Sequence, residues 1–256
     1  MSTRNMETAL IIGETYDVGY GLGVHVPTIR QIIEYGQDEY YHIVSLLTAI
    51  SSDCKAALWD VGLDWVNVSD MQMFVLATRE LTAQQSAVVF EPAIDFTQLR
   101  IQGTDAGDLR LCDVDGNIVI DDESRKHIAG FFCKLHNIAK KPERPYNQFA
   151  HDQLIAESRI QAARAKADNA RNALWPLISF VANAPGSKYN YESCLDMRIS
   201  TFMDCVSRLQ IISDASALRG ACYSGMIDGT KLKHDEALNA LREIAPPKPR
   251  QVVNFK

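Results

Sequence analysis

The fold class is decided by residues 109–138, which read LRLCDVDGNIVIDDESRKHIAGFFCKLHNI. Two short β-compatible runs flank Asp115-Gly116, a dipeptide that supports the positive φ angles of a tight primed turn, so the pattern predicts a β-hairpin. Asp121 or Asp122 then provides a cap for a helix. The core stripe of that helix is Ile128, Phe131, Phe132, Leu135 and Ile138. A hairpin followed by an amphipathic helix indicates an α+β protein.

The residues before this region mix short extended runs with helices. Residues 9–12 and 18–26 carry apolar and polar residues around glycines, and this pattern predicts short N-terminal strands. Thr28 with Gln31, and Ser69 with Gln72, have the S/T-x-x-E/Q spacing that begins a helix. The apolar positions between residues 40 and 50 predict a further amphipathic helix, and a shorter one is expected over residues 53–60.

The residues after it are predicted to be helical, with one break. Lys140-Lys141-Pro142-Glu143-Arg144-Pro145 interrupts the helical pattern, since proline lacks a backbone donor, and it is the best linker candidate. A long helix is predicted over residues 146–183, with a kink near Trp175-Pro176. Further helices are predicted over 199–209, 215–223 and 233–244.

We therefore expect a predominantly helical α+β fold with short N-terminal strands, a central β-hairpin and packed amphipathic helices. The predicted organisation is an acidic α+β lobe over residues 1–121, a mainly helical lobe over 122–245 and a Pro-rich extended tail over 246–256. Charge supports a division, since residues 1–100 carry a net charge of −8 and residues 138–171 carry +3.

Composition excludes several classes of protein. The chain has 256 residues, 46% hydrophobic and 23% charged, which excludes a disordered or collagen-like chain. A net charge of −6 does not favour a general nucleic-acid binder. No apolar run is long enough to span a bilayer, and residues 1–7 lack the features of a secretory signal. We expect a protein of the cytoplasm whose six dispersed cysteines are reduced.

No motif points to catalysis, a cofactor or a metal. The G-x-x-x-x-G-K-[ST] and G-x-S-x-G patterns do not occur, and Gly19-x-Gly21-x-Gly23 is better explained as a turn than as a phosphate loop. The aspartates near Asp115 do not follow the EF-hand order. Cys133 and His136 supply only two ligands of a zinc site. We expect no enzyme, but the six histidines keep a general base as an alternative.

Two groups of residues are candidates for binding a partner. The basic residues Arg159, Arg164, Lys166 and Arg171 lie on the predicted long helix, where they form either a solvated face or an electrostatic contact. Tyr189 and Tyr191 lie near Trp175 in the sequence and form either an exposed aromatic patch or part of the core.

Several segments resemble, in order, a family encoded in the structural-gene clusters of tailed bacteriophages that infect Gram-positive hosts. They are Val26-Pro27-Thr28-Ile29-Arg30-Gln31-Ile32-Ile33, Val61-Gly62-Leu63-Asp64-Trp65, Tyr189-Asn190-Tyr191-Glu192-Ser193, and then Phe202, Val206, Leu209-Gln210-Ile211 and Gly220. The late helical part is also similar to tail assembly chaperones, whose helices bind the tape-measure protein or tail-tube subunits.

The resemblance implies a non-enzymatic morphogenesis protein that binds a phage tail protein, the tape-measure protein or other virion proteins in the host cytoplasm. A homo-oligomer is compatible with it, and neither a membrane nor nucleic acid is an expected partner. The chain is longer than most such chaperones and contains a β-hairpin. The alternative is therefore a structural component retained in the virion, in the tail, baseplate or head–tail region.

The uneven charge predicts an association that depends on salt. Contacts between the acidic first half of one copy and the basic helix of another are screened as ionic strength rises. We expect sedimentation to give a higher mass at low salt than at high salt. An unchanged mass would show that the contact is not ionic.

Overall fold

A computed structural model describes residues 6–103, 108–167 and 174–228. Within these ranges the protein is predominantly helical with two small antiparallel sheets, which confirms the α+β prediction. The elements are, in chain order, α1 (Met6–Ile12), β1 (Tyr16–Gly19), β2 (Leu22–Val24), α2 (Ile29–Tyr35), α3 (Gln37–Leu47), α4 (Lys55–Asp60), α5 (Asp70–Thr78), α6 (Ala83–Ser86), β3 (Phe90–Glu91), β4 (Arg100–Gly103), β5 (Leu109–Cys112), β6 (Ile118–Ile120), α7 (Asp122–Leu135), α8 (Gln148–Ala167), α9 (Leu174–Asn183), α10 (Tyr191–Asp196) and α11 (Ile199–Tyr223).

Contacts divide the described residues into two units. The smaller unit comprises Thr28–Arg30 and residues 174–228, and the larger unit comprises the other described residues. The boundary predicted between residues 121 and 122 lies inside the larger unit, because α7 packs against β1, β6 and α3. The helix predicted over 233–244 and the tail predicted over 246–256 lie outside the described residues.

The first sheet has the strand order β1-β2-β3 and is antiparallel throughout. Its β1–β2 turn contains Gly19, Tyr20 and Gly21, all with positive φ. The glycine-rich motif is therefore the turn of a hairpin, as expected. The strand predicted over residues 9–12 is wrong, because these residues belong to α1. Ala9 is buried whereas Ile11 and Ile12 are exposed, so this short apolar run is not a strand buried in a sheet.

The second sheet has the order β4-β5-β6 and confirms the central hairpin. The connection between β5 and β6 differs from the predicted tight turn, since it occupies five residues, 113–117, and only Gly116 among them has positive φ. Asp113 organises the loop by accepting hydrogen bonds from the backbone N–H groups of Asp115 and Asn117, at 2.9 and 2.8 Å. Hydrogen bonds from Asn117 lower the pKa of Asp113. A short carboxylate side chain therefore holds this turn.

Helix α7 buries one apolar face, which includes the aromatic side chains of Phe131 and Phe132. Asp121 is its N-cap and accepts a hydrogen bond from the Ser124 N–H at 2.9 Å, as the sequence predicted. Four members of the predicted stripe are buried in α7, and the fifth, Ile138, lies beyond the helix end. Phe131 stacks on Tyr16 of β1 with ring centroids 5.7 Å apart. The stripe thus joins the helix to the first sheet.

Two local signals, a capping box and a glycine, mark helix boundaries correctly. The Ser69 hydroxyl accepts from the Gln72 N–H, and the Gln72 side chain accepts from the Ser69 N–H, which completes the predicted capping box of α5. Gly62, with φ of 80°, follows the end of α4. Helix α5 ends at Thr78.

The segment over residues 140–145 breaks the helical pattern as predicted, but it is not a free linker. Lys55 Nζ contacts Glu143 Oε2 at 2.5 Å, and Lys140 Nζ contacts Asp53 Oδ2 at 2.5 Å. The Glu143 N–H also donates to the Ser52 hydroxyl at 2.9 Å. These contacts fasten the segment to the larger unit, which sequence spacing alone did not reveal.

The last described helices differ in length from the prediction. The two helices predicted over 199–209 and 215–223 are one continuous helix, α11, because the residues between them contain no glycine or proline. Residues 168–173, between α8 and α9, lie outside the described residues, so a single helix over 146–183 stays a prediction. Pro176 lies in the first turn of α9, where its missing N–H has no intrahelical partner to lose.

His136, which follows α7, generates a prediction about stability. Its Nε2 lies 2.8 Å from the Tyr40 hydroxyl, and its ring packs edge-on against Tyr40 and Tyr41. Burial lowers the pKa of His136 from 6.5 to about 4. In the unfolded chain this histidine is protonated below about pH 6.5, whereas in the folded chain it is protonated only below about pH 4. The free energy of unfolding therefore falls as pH decreases across this range.

We expect the free energy of unfolding to fall by at most about 2 kcal/mol between pH 7 and pH 5 because of His136. Urea unfolding at several pH values measures the effect. His136→Gln, which cannot titrate, should show a correspondingly shallower decrease. Equal slopes for the two proteins would contradict the assignment.

Candidate protein-interaction site

The smaller unit is built from three helices around a small apolar core. Its fully buried side chains include Ile178 of α9, Cys194 of α10 and Phe202 of α11. Helix α10 begins at the cap Asn190, whose side chain accepts from the Ser193 N–H at 2.8 Å while the Ser193 hydroxyl accepts from the Asn190 N–H. This reciprocal cap fixes where Tyr191, the first residue of α10, leaves the backbone.

Trp175 and Tyr191 form a stacked pair on the surface of this unit. Their ring centroids are 5.6 Å apart and their planes differ by 29°. Trp175 is 62% exposed and Tyr191 is 41% exposed, so much of the surface of both rings remains accessible to solvent. Exposed aromatic residues are normal singly, but a stacked pair presents a continuous apolar area. The pair is the candidate site, and we call it the aromatic pair.

The hydroxyl of Tyr191 is tethered to α9. Asn183 Nδ2 donates to it at 3.0 Å, and it donates to the Ser179 hydroxyl at 3.3 Å. Asn183 also donates to the Ser179 carbonyl oxygen, so the tether spans one turn of α9. Its hydrogen bonds with Ser179 and Asn183 lower the pKa of Tyr191. The polar end of the ring is thus fixed while its face stays available.

A fixed, exposed aromatic pair suits binding to a protein. Tryptophan and tyrosine carry a large share of the energy at protein interfaces, where both ring area and polar edge contribute. A ring held before binding loses little conformational freedom when a partner covers it. Stacking and the tether to Ser179 and Asn183 supply this rigidity. The geometry can therefore support association with a protein.

Tyr189 has a different role from Tyr191. It is half-buried, and the Nζ of Lys188 lies 5.4 Å from its ring centroid. Its hydroxyl hydrogen-bonds the Cys205 side chain; burial raises the pKa of Cys205, and this hydrogen bond opposes the rise. Of the two predicted tyrosines, the structure therefore brings only Tyr191 together with Trp175.

Two carboxylates of α10, Glu192 and Asp196, share one guanidinium within the smaller unit. Arg30 contacts Glu192 Oε1 at 2.5 Å and Asp196 Oδ1 at 2.9 Å. Glu192 directly follows Tyr191 in α10. The single guanidinium compensates one of these two negative charges, so a partner there meets an apolar surface beside a partly compensated acidic group.

The predicted basic helix face is assembled only in part. Arg159 pairs with Asp60 of α4 at 2.5 Å, so its charge is used within the chain. Arg164 is exposed on α8. Lys166 belongs to α8 but its side chain lies outside the description, and Arg171 lies outside the described residues. The partner role of these four residues stays a prediction.

Helix α8 is held to α4 by its apolar side and by one histidine. Ile155 joins a core cluster with Ala56, Leu58, Trp65 and Met73. His151 is buried, lies 5.9 Å from Trp65 between ring centroids, and places Nε2 3.2 Å from Asp64 Oδ1. Its Nδ1 faces Asp152 Oδ1 at 3.4 Å. Because both ring nitrogens face carboxylates, this histidine–aspartate arrangement does not present a base to a hydroxyl or thiol nucleophile.

Cys133 and His136, the i, i+3 pair in the sequence, lie at the end of α7. The ring of His136 is hydrogen-bonded to the Tyr40 hydroxyl, and burial raises the pKa of Cys133. Both residues of the pair therefore lie in apolar surroundings. In the described part of the chain, no group of three or more His, Cys, Asp or Glu side chains converges on a point that could hold a metal ion. None of its helices has the length and apolar character required to cross a bilayer.

Comparisons with protein-family models, curated proteins and solved structures found no match for this chain.

The attachment of α8 gives a test of what holds it. Ile155→Ala removes buried methyl groups from the cluster and should lower the free energy of unfolding by about 2–4 kcal/mol. Arg159→Gln removes an ion pair whose side chains are both more than half exposed, so it should cost less than about 1 kcal/mol. Urea unfolding of both variants measures the difference. A larger loss for Arg159→Gln would show that charge holds the helix.

Proposed function

We propose that this protein is a non-enzymatic assembly protein of a tailed bacteriophage, a chaperone-like module that binds a tail or tape-measure protein in the host cytoplasm. The resemblance of the segments over residues 26–33, 61–65 and 189–193 supports the phage assignment. The observation that supports a binding role most directly is the aromatic pair, Trp175 stacked on a tethered Tyr191.

The aromatic pair fits the task of an assembly chaperone. A tail protein before assembly exposes apolar surface that its neighbours later cover, and a chaperone must cover that surface reversibly. A small rigid aromatic contact gives affinity without a large permanent interface. The segment that supplies Tyr191 is also one of the segments that carry the family resemblance.

A subunit retained in the virion is the second candidate. The observation that favours it is the β4-β5-β6 sheet, an element that the helical tail chaperones do not account for. Mass spectrometry of purified particles separates the two candidates, because a chaperone is absent from the particle and a subunit is present in fixed copy number.

Affinity purification from infected cells tests the binding role. The tagged wild-type chain should retain a tail or tape-measure protein, and Trp175→Ala should reduce the amount retained at least tenfold, since removing an interface tryptophan commonly costs 2 kcal/mol or more. Tyr191→Phe keeps the ring but loses the tether, and should have an intermediate effect.

Tyr146→Ala is the matched control. Tyr146 is 87% exposed and lies in the larger unit, so its removal deletes an exposed aromatic ring elsewhere in the chain. We expect wild-type retention for this variant. Equal retention by wild type and Trp175→Ala, or equal loss for Trp175→Ala and Tyr146→Ala, would contradict a role for the aromatic pair.

A further inference from the structure

A second surface, on the larger unit, combines an unpaired strand edge with an apolar groove. Strand β4 pairs with β5 on one side and is the outer strand of its sheet. All four of its residues are exposed. In the ranges that the structure describes, no backbone hydrogen bond reaches the other side of β4. Such an edge offers N–H and C=O groups to an added strand.

The two faces of β4 differ in chemistry because side chains alternate along a strand. Ile101 lies opposite Leu111 of β5, and Leu109, two residues from Leu111 on the same face, lines an apolar groove together with Ile101. Arg100 and Gln102 lie on the other face, which Gln102 shares with its ladder partner Arg110. One face is therefore apolar, and the other, the basic face, carries the two arginines beside Gln102 and the buried Cys112, which is the ladder partner of Arg100.

A groove of about 370 Å³ continues the apolar face. Its apolar lining consists of Leu63, Val68, Val75, Leu76, Ile101 and Leu109. Ile101 is 59% exposed, so nothing described in the chain fills the space beside it. The carboxylate of Asp64 also lines the groove, but it is engaged by the N–H of Val66 and by His151.

The arginines of the basic face have no carboxylate partner among the described residues. Neither Arg100 nor Arg110 forms a salt bridge with a carboxylate of the described residues, whereas Arg30, Arg125 and Arg159 do. An unneutralised guanidinium on an edge strand disfavours pairing with a basic strand and favours an acidic one. Charge complementarity thus specifies what the edge accepts.

We propose that the β4 edge binds an extended segment of a partner protein in which apolar and acidic residues alternate. The segment pairs antiparallel or parallel with β4 through its backbone. Its apolar side chains enter the groove beside Ile101, and its acidic side chains lie on the face of Arg100 and Arg110. This site is separate from the aromatic pair and does not depend on the function proposed above.

Synthetic peptides test the proposal on the full-length chain. The peptide Val-Glu-Val-Glu-Val-Glu-Val should bind, measured by fluorescence anisotropy of a labelled copy, and Val-Lys-Val-Lys-Val-Lys-Val should bind at least tenfold more weakly. Arg100→Glu should weaken binding of the glutamate peptide at least fivefold and strengthen binding of the lysine peptide. The gain for the lysine peptide shows that the variant is folded.

Two controls separate this site from general charge and apolar effects. Arg144→Glu makes the same change in net charge at another exposed arginine of the larger unit and should leave both affinities unchanged. Ile101→Ala should weaken the glutamate peptide at least threefold, whereas Val114→Ala, which truncates an exposed residue outside the groove, should not.

Backbone pairing has its own readout. Alternate residues of a strand direct their N–H groups to opposite edges, so methylating the N–H of every valine or of every glutamate blocks one edge at a time. Strand pairing predicts that one of these two peptides loses binding at least tenfold and the other keeps it. Equal binding of the two methylated peptides, equal binding of the glutamate and lysine peptides, or no binding at about 1 mM peptide would overturn the proposal.

Discussion

Burial of one face of α7 is the interaction on which the larger unit depends. Ile128, Phe131 and Phe132 of this helix have no exposed surface, and they lie where the first sheet, α3 and the β6 strand meet. Fully burying three such side chains stabilises the fold by several kcal/mol relative to solvent exposure. A change that turned this face away from β1 would also disturb the second sheet, because β6 leads directly into α7.

Elements with a short-range cause could be predicted from the sequence. The capping box of Ser69 and Gln72 and the N-cap Asp121 involve groups only three residues apart, so the chain carries the whole signal locally. The strand prediction for residues 9–12 was wrong because a run of only four apolar residues fits a strand or a helix equally well. Packing against the core decides between helix and strand here, since Ala9 is the residue of this run that is buried. No local pattern in the sequence encodes that packing.

The candidate site was predictable only in its composition. Tyr191 and Trp175 stood out as aromatic residues, but whether they were core or surface depended on how α9 and α10 meet. Ser179 and Asn183 lie four residues apart on α9, a spacing that puts both on one side of a helix, and this was the one available signal for the tether. Their partner lies eight residues beyond Asn183, after a turn whose path the sequence does not specify.

The fastening of residues 140–145 determines where this chain can be divided. Pro142 and Pro145 make the segment resemble a domain boundary at which the chain could be truncated. A fragment that ended at Pro142, however, would lose Glu143, the acidic partner of Lys55. The Lys55 side chain is nearly enclosed, and an ammonium group left there without its counter-ion is strongly unfavourable. Expression of the N-terminal half alone would therefore need to extend past Glu143 to keep the counter-ion of Lys55.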